Sequence, residues 1–157
     1  MEESLITNWG ESLAAGLVGA AALTAVHEIA RRFSRDAPRM DVLGERAIAR
    51  TVHASGGRLP PPPVLRRWAL AGDILASSAY YSLVACGRQP SMWRRAVALG
   101  LAAGAGALLL PERVGLGPPP RSEHLANQIM TVAWYLLGGL AAAAAGQRIQ
   151  RAVRAAA

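Results

Sequence analysis

The chain has no lysine, a single cysteine, a single phenylalanine and only ten acidic residues in 157. Each shortage excludes something. With Cys86 alone, no intrachain disulfide can form and the redox compartment stays open; the residue reads as a small apolar group near a helix end. Aromatic residues make up 5% against 52% hydrophobic, so the apolar mass is Ala, Leu, Val and Gly, a composition suited to helices packed backbone against backbone. All 17 basic residues are Arg, which we read as GC-rich bacterial codon usage rather than as chemistry.

Catalytic signatures are missing as well. Ser77, Ser78 and Ser122 lie in no G-x-S-x-G turn, and Cys86 has no charged neighbour on its helix to activate it. His27-Glu28 is not the start of H-E-x-x-H, because Arg31 stands where the second His belongs. No glycine loop of the phosphate-cradling kind occurs. Glu2, Glu3 and Glu11 replace the positive region that opens a signal peptide, so the first apolar stretch is expected to remain in the protein.

What is present is four apolar stretches, at about 12–30, 68–87, 96–111 and 125–147, each nearly free of charge. The last runs for 23 residues without Asp, Glu, Arg or His, and a spanning helix needs about 20 apolar residues. A soluble Ala-rich bundle would show a charged helical face, and the third and fourth stretches have none. The expected fold is therefore an all-α integral membrane protein: a single domain over 1–157, with four transmembrane helices as two hairpins. Gly100-x-x-x-Gly104, Gly16-x-x-Gly19 and Gly138-Gly139 read as close helix contacts.

Arginine placement orients it. Nine arginines lie between the first and second stretches, and Arg113 and Arg121 lie between the third and fourth. The opposite side has Arg88, Arg94, Arg95, Arg148, Arg151 and Arg154. The positive-inside rule puts the eleven in the cytoplasm and both termini away from it, in a bacterial cytoplasmic (inner) membrane. The formal net charge of +7 flanks apolar segments, so anionic lipid rather than nucleic acid is the expected partner. Arg31, Arg32, Arg35, Arg46, Arg50, Arg66 and Arg67 are the expected headgroup contacts. Both inner loops are rich in Pro and Gly, and the prolines at 60–63 read as a stiff spacer.

The first inner loop predicts an amphipathic helix over about 37–52. Met40, Leu43, Ala47, Ile48 and Val52 share one face, Asp36 is placed to cap the start ahead of Pro38, and the whole suits a helix lying in the interface or packed on its own hairpins. Asp41 and Glu45, one turn apart, read as a solvated pair. The segment 27–46 is distinctive in concentrating polar groups, although it carries no familiar motif.

Polar groups gather at one depth on the inner half. His27 and Glu28 end the first span; Asp73 stands about 9 Å inside the second, counting 1.5 Å per residue from Arg67. Glu112 ends the third, and His124, Gln128, Thr131 and Tyr135 form a stripe on the fourth. Asp73, the deepest charge, costs about 2.5–3.5 kcal/mol to insert unless it has a partner or a purpose. Three meanings compete: an internally neutralised structural Asp; a ligand site for a quinone-like or lipid-like molecule; and a metal or haem site drawn from His27, Glu28, Asp73, Glu112 and His124, which lack specific ligand spacing. No cofactor is named by these residues. The function expected first is a non-catalytic accessory or assembly subunit docking on other membrane subunits or on its own copy through Gly/Ala faces. The alternative is a membrane-embedded binding, carrier or enzyme site centred on Asp73.

Overall fold

The structure, a computed structural model, describes residues 2–33, 37–86 and 91–156. Among them are five helices and no strand: α1 (Glu2–Phe33), α2 (Asp41–Ala54), α3 (Pro62–Ala85), α4 (Met92–Arg113) and α5 (Leu125–Ala156). The four expected apolar stretches are the cores of α1, α3, α4 and α5. Each helix outruns the apolar run that predicted it at one end or both, because polar residues continue a helix as readily as apolar ones when the backbone pattern allows. α5 has 32 residues, about 48 Å at 1.5 Å per residue, and carries Arg148, Arg151 and Arg154 on its last turns. Among the described residues three helical segments are long and apolar enough to cross a membrane: Trp9–Phe33, Met92–Arg113 and Leu125–Ala156.

Local chemistry sets the ends. α3 opens on Pro62 and Pro63 after Pro61, whose ψ of 148° is extended; proline is tolerated in the first turn, where its missing N–H has no intrahelical partner. The proline run is thus half spacer and half helix start, a correction to the spacer expected from sequence. α2 begins at Asp41 and extends to Ala54, later than the 37–52 expected, with Met40 at its N-cap and no side-chain cap bond. The proposed cap Asp36 lies outside the described residues, as do Arg35, expected at headgroups, and Arg88, expected on the outer side. The segments that follow α2 and α4 begin alike. Gly56 and Gly115 take the left-handed conformation (φ +73° and +76°). Gly57 N–H then donates to Val52 O at 2.9 Å and Leu116 N–H to Pro111 O at 2.8 Å, closing each helix as a Schellman motif.

α1 lies between α3 and α5, α4 packs on α5, and α2 packs on α3 at the end where α1 finishes and α3 begins. The long helices meet through glycine. A Cβ added at Gly104 would lie 2.7 Å from Val132 Cα, one at Gly100 2.7 Å from Leu136 Cα, and one at Gly139 2.6 Å from Ala96 O. Gly16 faces the Ser78 carbonyl and Ser82 N in the same way. Around these seams the buried core is Ala15, Leu23, Tyr81, Val84, Met92, Ala96, Ala142 and Ala143. Tyr81 donates to Tyr135 O at 2.7 Å and Tyr80 to Leu99 O at 2.9 Å, tying α3 to α5 and α4.

Candidate functional site

A cavity of about 330 Å³ opens between α1, α2 and α3, at the lower end of the size range of about 300–1,000 Å³ for ligand pockets. Two antiparallel helices wall it with stripes of the same period. From α1 come Thr24, His27, Glu28 and Arg31; from α3 come Arg66, Ala69, Leu70 and Asp73. Both sets run i, i+3, i+4, i+7, one helical face. Because the helices run in opposite directions, Thr24 and Asp73 share the deep end, and Arg31 and Arg66 share the mouth. α2 covers the groove with Met40, Asp41, Gly44 and Glu45, and Pro38 completes the wall.

The mouth is neutralised internally. Arg31 Nη1 donates to Asp41 Oδ2 at 2.6 Å, and its other nitrogen pairs with Glu28. Arg39 grips Asp41 as a fork, Nε to Oδ1 and Nη2 to Oδ2, both at 2.9 Å; two parallel bonds of this kind are the strongest arrangement open to a carboxylate. Burial pushes the Asp41 carboxyl up, but the Arg39 hydrogen bond and the charges of Arg39, Arg31 and Arg66 outweigh it and hold the group below the usual aspartate range.

The deep end is not neutralised. Among the described residues Asp73 makes no hydrogen bond or ion pair, and neither does Glu45. Thr24 Oγ1 and His27 Nε2 are buried without a hydrogen-bond partner. The His27 ring is held edge-on by Trp134, centroids 4.9 Å apart, and by Tyr135 at 6.0 Å.

Of the candidate cluster, then, His27, Glu28 and Asp73 meet in one cavity, and Tyr135 lies behind it, against the His27 ring. The stripe on α5 turns elsewhere. Gln128 Nε2 donates to Ser122 O at 2.8 Å, and the buried Thr131 hydroxyl to Asn127 O at 2.9 Å, so both close local turns. Glu112 and His124 are exposed, away from the cavity walls. Among the described residues no three His, Cys, Asp or Glu side chains come together as a metal site. A haem bridging His27 and His124 has no support, since one lines the cavity and the other does not. Of the expected headgroup residues, Arg31 is held by carboxylates, and Arg46 and Arg50 bond the α4–α5 loop: Arg46 to Leu116 O and Pro118 O at 3.1 and 3.0 Å, Arg50 to Val114 O at 2.5 Å. Arg32, Arg66 and Arg67 make no such bonds among the described residues. Thr24, Asp41, Glu45 and Arg66 are wall residues that depth along the sequence did not assign to the cluster. The one-turn spacing of Asp41 and Glu45 was their signal, together with Gly44 between them.

Comparison with protein-family models, with curated proteins and with solved structures finds no match to this chain. The fold and cavity define a class directly: a small all-helical protein with three helices long and apolar enough to cross a membrane, suggesting a membrane protein with a polar cavity at one end of its bundle.

Proposed function

We propose that the protein spans a bacterial cytoplasmic membrane four times and binds a lipid-like ligand in the α1–α2–α3 cavity, with Asp73 at the centre of the site. The observation that carries this is Asp73 itself, a carboxylate lining a cavity with no partner among the described residues. A purely structural intramembrane carboxylate is expected to be paired; of the two guanidiniums that line the cavity, Arg31 is taken by Glu28 and Asp41, and Arg66 makes no ion pair with Asp73 among the described residues.

α3 supplies the fourth span in this reading. It has 24 residues, and Trp68, Leu70, Leu75 and Leu83 are 45–72% exposed, an outward apolar surface that lipid would cover. α2 then lies in the interface on the arginine-rich side, which the positive-inside rule makes cytoplasmic, with Arg32, Arg66 and Arg67 near anionic headgroups. Both termini face away.

The test is native mass spectrometry of the protein from its own membranes, with Ala69→Trp to fill the cavity and Asp73→Asn to remove the charge. A bound small molecule present in the parent and lost in Ala69→Trp, with the protein still inserted, supports the reading. A parent that carries no ligand overturns it.

A second reading, an accessory or assembly subunit, rests on one observation. An open groove bounded by Ala102, Ala103, Gly106, Ala107 and Leu110 runs along α4 beside Tyr80 and Tyr135, and small residues of this kind admit a partner helix. Against it, Gly100, Gly104 and Gly139, which first suggested docking, face neighbouring helices of this same chain. Co-purification of a larger subunit in the same spectra would favour this second reading.

A further inference from the structure

Resting on that reading, we propose that the ligand is an amphiphilic monocation, a protonated amine carried on an apolar body, whose ammonium group pairs with Asp73. The charge pattern leads there by elimination. Four carboxylates (Glu28, Asp41, Glu45 and Asp73) and two guanidiniums (Arg31 and Arg66) line the cavity, inside the most arginine-rich end of a protein of net charge +7. Glu28 and Asp41 are closed off by Arg31 and Arg39. What remains is Arg66 at the mouth against Glu45 and Asp73, one negative charge in excess.

The excess sits at the deep end. Arg66 is seven residues before Asp73 on the same helix, about 10.5 Å along the axis, so each charge is left to its own surroundings. An uncompensated carboxylate beside apolar walls attracts a cation, more strongly where those walls keep water from one side of it. Thr24 and His27 line the same cavity as Asp73, and their Oγ1 and Nε2 atoms are buried without hydrogen-bond partners, so neither supplies a charge that would compensate the carboxylate while His27 is neutral. Leu70, Ala69, Met40 and Pro38 give the apolar wall a hydrocarbon body needs. Leu70 is 49% exposed and Asp73 is exposed beside it, so the cavity is open at the side facing lipid, where an amphiphile is already concentrated.

A proton and an ammonium ion compete for the same Asp73 oxygens, so binding weakens as pH falls. The other groups facing this carboxylate are His27, Glu28 and Arg31 from α1, Asp41 and Glu45 from α2, and Arg66 on its own helix, with the hydroxyls of Tyr81 and Tyr135 behind it. Protonation of His27 would add to the loss, having the same sign.

The experiment measures binding of dodecylamine, dodecanol and dodecyl phosphate to the purified protein in phosphatidylcholine nanodiscs, by competition with partition into protein-free discs. The expected result is that the amine binds about tenfold or more tightly than the alcohol. Asp73→Asn should bring the two together, and Asp73→Glu should restore the preference. Equal binding of amine and alcohol, unchanged by Asp73→Asn, overturns the cation inference and leaves the cavity reading standing. Tightest binding of dodecyl phosphate also overturns it, pointing to Arg66 as the recognising group. If none of the three binds above the disc background, and Ala69→Trp displaces nothing from the native protein, the cavity reading itself falls.

Discussion

Gly44 on α2 rests on Ala69 on α3 with no side chain between them: a Cβ added at Gly44 would stand 3.3 Å from the Ala69 methyl. This contact sets how close the cover helix lies over the cavity. Gly44→Ala gains about 1 kcal/mol of helix propensity and asks the neighbour to yield by only a few tenths of an ångström, so it should leave α2 in place. Gly44→Leu should lift α2, raising amide hydrogen exchange across Asp41–Ala54 by about tenfold or more, while α1, α4 and α5 stay protected. Unchanged α2 exchange in the Leu variant would show that the seam does not set the docking.

Asp41 makes that docking acid-sensitive. Its carboxyl is held below the usual aspartate range in the folded protein, so its contribution is fully present above about pH 4, the unfolded value, and is lost as pH falls through the folded value. Asp41 is partly open to solvent, which limits the contribution to about 1 kcal/mol. Exchange protection of α2, corrected for intrinsic rates, should be flat from pH 7 to pH 5 and drop at pH 3. In Asp41→Asn the drop should vanish and α2 should be less protected throughout. Loss of protection between pH 7 and pH 5 in the parent would point to another group.

The glycine seams give a paired prediction. Gly16 meets the Ser78 carbonyl and Ser82 N of α3, atoms that cannot turn aside, whereas a Cβ at Gly72 meets nothing within 4 Å. Gly16→Ala should therefore destabilise the bundle by about 1–3 kcal/mol, and Gly72→Ala should be neutral or slightly stabilising. Unfolding in detergent with increasing dodecyl sulfate measures both. Equal tolerance at the two positions would contradict the packing.

Arg46 and Arg50 hold the α4–α5 loop by its carbonyls. Replacing both by Gln should loosen residues 114–120, read as faster exchange there, with about 1 kcal/mol or less lost per contact because both side chains are exposed. If the arginines serve lipid alone, the double variant should weaken binding to anionic vesicles and leave loop exchange unchanged.

The sequence shows depth well and rotation poorly. Composition and run length were enough to find the apolar cores of α1, α3, α4 and α5, because a long apolar run without turn residues folds as a helix. Spacing was enough to read Gly100-x-x-x-Gly104 as a contact, and the structure sets it against α5. The meeting of His27 and Asp73 followed from equal depth. Glu112 and His124 have similar depth and point elsewhere, since the angle about each helix axis depends on packing that one chain's pattern leaves open. Asp41, Glu45 and Arg66 were placed by something less legible still: the turn through the prolines at 60–63, which folds α2 back over α1 and α3. A charge pair that reads as solvated on an isolated helix becomes a cavity wall once that turn closes.

The glycine seams also bear on how the molecule can move. Where helices touch backbone to backbone at Gly16, Gly100, Gly104 and Gly139, no flexible side chains lie between them to absorb a change of tilt. The four long helices therefore form a stiff frame. α2, with no buried residue of its own, is fastened to it by the Arg31–Asp41 ion pair, by carbonyl contacts of Arg46 and Arg50 to the α4–α5 loop and by one small-residue seam. Breathing of the cavity is therefore expected of α2 rather than of the frame behind it.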